Sequence, residues 1–218
     1  LVATIEVTPT YTNNGFSCVG NPETFTITVN PGAQVNPVPN QQICAGDSTD
    51  DITFDTSNED GTTTYAWTID NTAIGENLDA IGSGNIPSFV VTNDTDNALV
   101  ATIEVTPTYT NNEVICTGNP ETFTITVNPL GQVNPVSSQE LCAGDSTDEI
   151  TFETANENGI TTYTWTNNNP AIGLAESGPE DATATTIPSF VATNSTNTPI
   201  SANISVTSFL TLNGFTCE

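Results

Sequence analysis

The sequence repeats itself at a period of about one hundred residues, and this repeat limits the possible folds more than any other feature. The run LVATIEVTPTYTNN begins at Leu1 and again at Leu99, an offset of 98 residues. Two further runs recur at the same offset, GNPETFTITVNP from Gly20 and Gly118 and CAGDSTD from Cys44 and Cys142. This period is too long for one turn of a solenoid and is typical of a complete small domain.

The repeat boundaries are marked by proline-rich seams at Val29–Pro37 and Val127–Pro135. Paired prolines beside a glycine are typical of a short, stiff linker between strands. We therefore predict the C-terminal part of a preceding repeat at 1–31, a complete repeat at 32–129, and a repeat lacking its last strand at 130–218. Both ends of the sequence fall inside a repeat, so we expect a longer array.

Within each repeat, apolar and polar residues alternate with a period of two, which predicts half-buried β-strands. The buried series are Ala101, Ile103, Val105; Phe123, Ile125, Val127; and Tyr65, Trp67, Ile69. Short strands separated by turn signals predict an all-β fold of antiparallel sandwiches. Trp67 and its counterpart Trp165 are expected in the cores of these sandwiches rather than on sugar-binding surfaces.

The composition excludes several classes of function. Lys, Arg and His are absent and the formal net charge is −26, so no basic patch can bind nucleic acid or anionic lipid. Catalytic schemes that need a His or Lys base are also unavailable. We find no nucleotide-binding glycine motif and no apolar run long enough to span a membrane. We expect no enzyme activity, no cofactor and no membrane insertion.

Five cysteines allow two pairings. One closes each repeat on itself, with Cys44–Cys116 and Cys142–Cys217 bonds, and leaves the partner of Cys18 outside these residues. The other joins cysteines across the linkers, as Cys18–Cys44 and Cys116–Cys142. The first is favoured because one bond per repeat is the simpler unit, and regular cysteines suggest an oxidising compartment. A zinc site is not expected, since there is no CxxC spacing or His.

The repeat resembles the PKD-like, immunoglobulin-like repeats of giant secreted Bacteroidota surface proteins. The resemblance covers nearly the whole chain and rests on Ile43-Cys44, Tyr65–Trp67, Ile86–Phe89, Ala101–Tyr109 and Thr122–Pro129. It implies tandem Ig-like sandwiches arranged end to end in adhesins, including gliding-motility adhesins, that are exported by the type IX system. It also implies that the two cysteines of one domain pair with each other.

The same resemblance implies O-glycosylation, because these organisms attach glycans at Asp-Ser/Thr followed by an aliphatic residue or Thr. Asp47-Ser48-Thr49 and Asp145-Ser146-Thr147 match, which makes Ser48 and Ser146 the candidate sites. Acidic residues also recur around these sequences: Asp47, Asp50 and Asp51, then Asp145, Asp148 and Glu149. Adjacent strand residues point apart, so we expect no metal site here.

The leading hypothesis is an extracellular structural module in the stalk or filament of a cell-surface adhesin. Its partners would be neighbouring repeats of the same chain, with surface glycans or other cells as further targets. One alternative is a carbohydrate-binding accessory module of a secreted polysaccharide-degrading enzyme, for which Tyr11, Tyr109 and Tyr163 would supply the aromatic contacts. Another is a pilus-like polymer whose subunits exchange strands.

Overall fold

The structure is a computed structural model that describes residues 1–179 and 184–218. The described chain is all-β, apart from two 3₁₀ turns at Thr72–Ile74 and Pro170–Ile172. We refer to residues 1–31, 32–129 and 130–218 as the first, second and third segments. The first contains β1 (Val2–Val7), β2 (Thr10–Asn13), β3 (Phe16–Val19) and β4 (Glu23–Thr28). The second contains β5 (Gln41–Cys44), β6 (Thr62–Ile69), β7 (Ile81–Ser83), β8 (Leu99–Asn111), β9 (Val114–Thr117) and β10 (Glu121–Asn128). The third contains β11 (Ile150–Thr151), β12 (Ile160–Asn167), β13 (Thr186–Ile187), β14 (Ile204–Leu212) and β15 (Phe215–Cys217).

The main sheet of the second segment has the strand order β5-β10-β8-β6-β7, and β9 also pairs with β8. All of these pairs are antiparallel except β5–β10, in which Gln41–Cys44 runs parallel to Ile125–Asn128. The antiparallel prediction is therefore wrong at this one edge. A parallel pair requires a long crossover connection, and nearly the whole segment separates β5 from β10 in the sequence.

A second layer of extended chain covers one face of this sheet. It is tied together by isolated bridges between Ser48 and Val90, Ile52 and Ile86, and Gly75 and Val91. The core between the layers contains Ile43, Ile52, Phe54, Trp67, Ile69, Ile74, Ile86, Val91, Ala101, Ile103, Val105, Phe123, Ile125 and Val127. The alternation predicted along β6, β8 and β10 is confirmed, and the arrangement is compatible with a β-sandwich.

Both tryptophans belong to the cores, as predicted. Trp67 is buried, and its indole N–H donates to the Gly84 carbonyl at 3.0 Å. Gly82 lies against the Trp67 ring so closely that a Cβ there would stand 2.1 Å from a ring carbon. Trp165 is also buried, in a smaller core with Phe152, Tyr163, Leu174, Ala184 and Ile187.

The described residues of the third segment form fewer paired strands than the second segment does. Its sheet has the order β12-β14-β15, and β11 pairs separately with β13. Residues 139–142, which correspond to β5, form no strand. Up to Glu218 this segment contains no counterpart of the GNPETFTITVNP sequence that builds β10. A β5-like edge strand has no hydrogen-bonding partner without β10.

The first segment has strands but no core of its own. β1 pairs with β4 and β2 pairs with β3. Phe25 and Ile27 are 50% and 49% exposed, although their counterparts Phe123 and Ile125 are 2% and 0% exposed. Pairing alone therefore forms these strands, and the burial seen in β10 depends on the rest of the second segment.

Candidate functional site

Three of the five cysteines lie at equivalent places in β-hairpins. Cys18 is opposite Tyr11 in β2–β3, Cys116 is opposite Tyr109 in β8–β9, and Cys217 is opposite Leu210 in β14–β15. Each hairpin closes through two residues with positive φ: Asn14-Gly15, Asn112-Glu113 and Asn213-Gly214. Positive φ at both positions is the geometry of the tight turns that match the twist of paired strands. The turn thus fixes where each hairpin cysteine lies.

The remaining two cysteines lie at the opposite end of their segments. Cys44 ends β5 and pairs in register with Asn128, the last residue of β10. Cys142 occupies the corresponding place in the third segment. A turn follows each of them, in which Asp47 N–H donates to the Cys44 carbonyl and Asp145 N–H to the Cys142 carbonyl, both at 3.1 Å.

The structure contains a disulfide between Cys44 and Cys217, with the two Cα atoms 5.5 Å apart. The predicted pairing of Cys44 with Cys116 and of Cys142 with Cys217 is therefore wrong. Cys116, Cys142 and Cys18 are free thiols, and the alternative bonds Cys18–Cys44 and Cys116–Cys142 are also absent. The observed bond joins the second segment to the third instead of closing either one.

The physical reason for this correction is the length of β8. Leu99 at one end of β8 lies opposite Val127, beside Cys44, and Tyr109 near its other end lies opposite Cys116. Tyr109 lies ten residue steps along the strand from Leu99, which corresponds to about 33 Å. A disulfide needs Cα atoms only about 4.4–6.8 Å apart. The two cysteines of one segment therefore lie at opposite ends of its sheet and cannot bond.

Polar contacts accompany the disulfide between the second and third segments. The Asn97 side-chain amide donates to the Glu157 carboxylate at 2.7 Å, and the Asn158 amide donates to the Asn97 side-chain oxygen. The Gln132 amide donates to the Asp96 carboxylate at 3.0 Å, and Glu157 N–H donates to the Asp96 carbonyl at 3.3 Å. We call these five residues together with the Cys44–Cys217 bond the junction.

Amides take the role of cations at the junction, because the sequence has no Lys, Arg or His. Each junction carboxylate, Asp96 and Glu157, accepts a hydrogen bond from an Asn or Gln side chain. Hydrogen bonds to charged groups contribute more than those between neutral groups. They also hold two acidic surfaces together in a chain whose net charge would otherwise favour separation.

Hydrogen bonds of Asn side-chain amides also hold the two proline-rich seams. The Asn58 amide donates to the Gly32 carbonyl at 3.0 Å while its oxygen accepts from Gln34 N–H at 2.8 Å. Asn156 makes the corresponding bonds with Leu130 at 3.1 Å and Gln132 at 2.9 Å. One amide thus fixes the backbone of each seam against the segment that follows it.

The candidate glycosylation sites and the repeated acidic residues lie near Cys44 and Cys142. Ser48 and Ser146 are exposed, and each forms an isolated bridge, to Val90 and Val191. The neighbouring Asp51 carboxylate accepts from Ser88 N–H at 2.8 Å, and Asp145 accepts from Cys142 N–H at 3.3 Å. Among the described residues, no group of three or more acidic or cysteine side chains could hold a metal ion.

The three tyrosines considered for sugar binding do not form an exposed row. Tyr109 and Tyr163 are 1% and 2% exposed, and only Tyr11 is on the surface. The Tyr109 hydroxyl donates to the Glu59 carbonyl at 2.8 Å.

Two tyrosines have raised pKa values. Burial raises the pKa of Tyr163 above 10.0, a hydrogen bond to Thr154 lowers this pKa, and the charge of Glu153 raises it further. The pKa of Tyr65 is raised for the same reason, against a hydrogen bond to Thr56 and with a further rise from Asp55.

The residues that sequence reasoning missed are the polar ones of the junction, because nothing in their spacing distinguishes them from surface loops. The unbroken thirteen-residue alternation of Leu99–Asn111 was the signal that could have excluded bonds within a repeat.

None of the described helices is long and apolar enough to cross a membrane. No family model and no curated protein matches the chain.

Proposed function

We propose that this chain is an extracellular structural repeat module, part of the stalk or filament of a cell-surface adhesin, with no catalytic activity of its own. In this proposal the second and third segments are successive Ig-like, PKD-like sandwiches arranged end to end. The neighbouring repeat is the main partner, and adhesion to surface glycans or other cells belongs to the wider protein.

The observation that carries the proposal is the Cys44–Cys217 disulfide between the two segments. A spacer must transmit force and orientation from one unit to the next, which is what a covalent bond beside a short linker provides. Disulfides persist mainly in oxidising compartments, which supports a location outside the cell. Gln132 and Asn156 at the seam further oppose bending at the same place.

The exposed surface also favours a spacer over a sugar-binding module. An exposed aromatic row is the usual platform for sugar rings, yet Tyr109 and Tyr163 are buried. The net charge of −26 keeps neighbouring fibres apart at low salt. Glycans at the exposed Ser48 and Ser146 would add a further protective layer beside each junction.

The test is the solution shape of the full chain, measured by small-angle X-ray scattering under oxidising conditions, together with assays on polysaccharides. We expect an elongated particle and no hydrolysis. The matched controls are Cys217→Ser, which removes the bond between segments, and Cys116→Ser, which removes a free thiol. Only Cys217→Ser should broaden the distribution of interatomic distances. A compact particle, or hydrolysis that is lost on replacing a specific carboxylate, would contradict the proposal.

A further inference from the structure

We infer that the Cys44–Cys217 bond is one step of a repeating cross-link. In an array of these repeats, the cysteine that ends β5 in each repeat would bond to the hairpin cysteine of the repeat that follows. The partner of each free thiol is then another copy of this repeat. The inference rests on the proposed tandem array and adds its covalent connectivity.

The first support is that the turn after Cys142 matches the turn after Cys44. Both are followed by the sequence Ala-Gly-Asp-Ser-Thr-Asp, and Gly46 and Gly144 have φ values of 91° and 97°. The N–H groups of these glycines donate to Val91 and Ala192 at the same distance, 2.8 Å. The turn is thus the same in both segments, although only Cys44 is bonded.

The second support comes from the hairpin cysteines. Cys116 and Cys18 share the hairpin position and the positive-φ turn of Cys217, yet both are free thiols, half-buried and exposed respectively. The disulfide partners of Cys18 and Cys116 would belong to preceding repeats, and the disulfide partner of Cys142 would belong to a following repeat. One register, from each β5 cysteine to the next hairpin, therefore accounts for all five cysteines.

The third support is that two of the polar residues of the junction have counterparts in the sequence of the second segment. Gln132 and Glu157 have counterparts 98 residues earlier in Gln34 and Glu59, while Asp60 stands in place of Asn158. The second segment therefore carries most of the same polar groups at the end that would face a preceding repeat. Asn30 of the first segment already accepts a bond from the Asn111 amide, at 3.3 Å, at this end.

The consequence is a second covalent connection across every junction. The polypeptide leaves β10 at Asn128, and Cys44 is paired in register with that residue. Linker and disulfide thus span the junction side by side. Two attachment points resist bending and twisting, whereas one alone acts as a hinge.

Formation of each bond is a two-electron oxidation that needs a thiol–disulfide oxidant, such as glutathione disulfide. One cysteine thiolate attacks a sulfur of the oxidant and forms a mixed disulfide, releasing one glutathione thiolate. The second cysteine thiolate then displaces the other glutathione and closes the protein disulfide. Two protein thiols lose two protons and two electrons, and one glutathione disulfide becomes two glutathione molecules.

The experiment uses the full chain with a second copy of residues 32–129 inserted between Pro129 and Leu130, oxidised with glutathione disulfide. Free thiols are counted by maleimide labelling and intact mass after denaturation. We expect bonds from the original Cys44 to the inserted Cys116, and from the inserted Cys44 to Cys217. Cys18, Cys142 and the original Cys116 should react with maleimide.

The matched variants are Cys116→Ser in the original copy and the same change in the inserted copy. The first should leave both disulfides intact, and the second should remove one and expose the original Cys44 thiol. Equal loss of a bond in both variants would overturn the inference, as would no loss in either. Scattering by the same samples tests the stalk separately. A compact particle with the expected bonds contradicts only the stalk, and an elongated particle with other bonds contradicts only the cross-link.

Discussion

The second and third segments share much of their sequence, yet one of them has an edge strand that the other lacks. Ile43 lies in β5 and is 8% exposed, whereas its counterpart Leu141 lies outside any strand and is 37% exposed. β5 is held by backbone hydrogen bonds to β10, and the described residues of 130–218 include no counterpart of β10. The comparison indicates that this edge strand depends on a partner distant in sequence, in addition to the change from Gln42 and Ile43 to Glu140 and Leu141.

The aromatic packing in the two cores differs for the same reason. The Phe54 ring packs against Tyr65 and also against Phe123 of β10, with centroids 5.5 and 6.4 Å away. Phe152 retains only the first of these contacts, with Tyr163 at 5.2 Å. One missing strand thus removes aromatic packing on one face and backbone partners at the edge.

The first segment provides the converse case, since it contains the β10 sequence without the surrounding core. Residues 20–31 are identical to residues 118–129. Phe25 and Ile27 are about half exposed, whereas Phe123 and Ile125 at the same places in the second copy are buried. Identical substitutions in the two copies therefore separate the contribution of the core from that of the local sequence.

The largest expected effect is from Phe123→Ala. Phe123 is 2% exposed and packs on Phe54, so its loss should lower the free energy of unfolding by about 3–5 kcal/mol. The matched control Phe25→Ala should change it by less than about 0.5 kcal/mol, because Phe25 is exposed. Guanidinium unfolding followed by Trp67 fluorescence, in a Trp165→Phe background, measures both. Equal effects would show that the first segment shares a core.

A smaller effect is expected from Asn93→Ala. The Asn93 amide donates to the Asn97 and Val127 carbonyls, both at 2.8 Å, and is buried. Its loss leaves buried acceptors unpaired, which costs about 1–3 kcal/mol.

The control for this prediction is Asn194→Ala, at the corresponding place in the third segment. The Asn194 amide donates to the Thr198 carbonyl at 2.9 Å and makes no bond to a last strand. We expect a smaller loss of stability for Asn194→Ala, measured by urea unfolding followed by Trp165 fluorescence in a Trp67→Phe background. A loss as large as that of Asn93→Ala would contradict the role of β10.

Tyr109→Phe should have a smaller effect again. It removes the hydroxyl that donates to the Glu59 carbonyl, so we expect a loss of about 0.5–1.5 kcal/mol. Tyr11→Phe at the equivalent position changes an exposed side chain and should be nearly neutral. Thermal unfolding of the two variants side by side provides the measurement. A stability change in Tyr11→Phe equal to that in Tyr109→Phe would refute the distinction.

The smallest effect is expected at alkaline pH. The folded-state pKa values of Tyr65 and Tyr163 lie above 10.0, the value of an unburied tyrosine, because burial disfavours the phenolate. Their contribution to stability is complete below pH 10 and is lost as the pH rises through the raised values.

Urea unfolding between about pH 9 and pH 11.5 tests this prediction, since tyrosine titrates near pH 10. The three free cysteines are replaced by Ser to prevent disulfide exchange. Stability should fall with pH, and the fall should be smaller in the Tyr65→Phe, Tyr163→Phe double variant. An unchanged slope in that variant would assign the fall to other groups.

Sequence reasoning succeeded where the structure is local and repetitive. The alternation of Ala101, Ile103 and Val105 marks the buried face of β8, and Trp67 and Trp165 lie in the cores as predicted. The period of two directly reports which side chains share a face. The exposure of the same pattern in the first segment was not predictable. Alternation indicates which face could join a core but not whether that face is covered.

The disulfide pairing predicted from the sequence was wrong, because regular spacing of cysteines along the chain does not determine their distance in space. A bond within a repeat looked simplest for Cys44 and Cys116, but ten residue steps of continuous strand, from Leu99 to Tyr109, separate their ends of the sheet. The single parallel pair, β5 with β10, was missed for a related reason. Strand order and direction are set by contacts between residues far apart in the chain.

The repeat period, the all-β class and the side chains that share a strand face could be predicted from the sequence, because these follow from local periodicity and composition. The structure was needed to establish that Cys44 bonds to Cys217 and that Asp96 and Asn97 contact Gln132 and Glu157. It also showed that, among the described residues, a β5-type edge strand forms in the second segment and not in the third. Each of these depends on which surfaces are brought together after the strands form. A disulfide or hydrogen bond requires atoms a few ångströms apart, and residue spacing along the chain does not fix that distance.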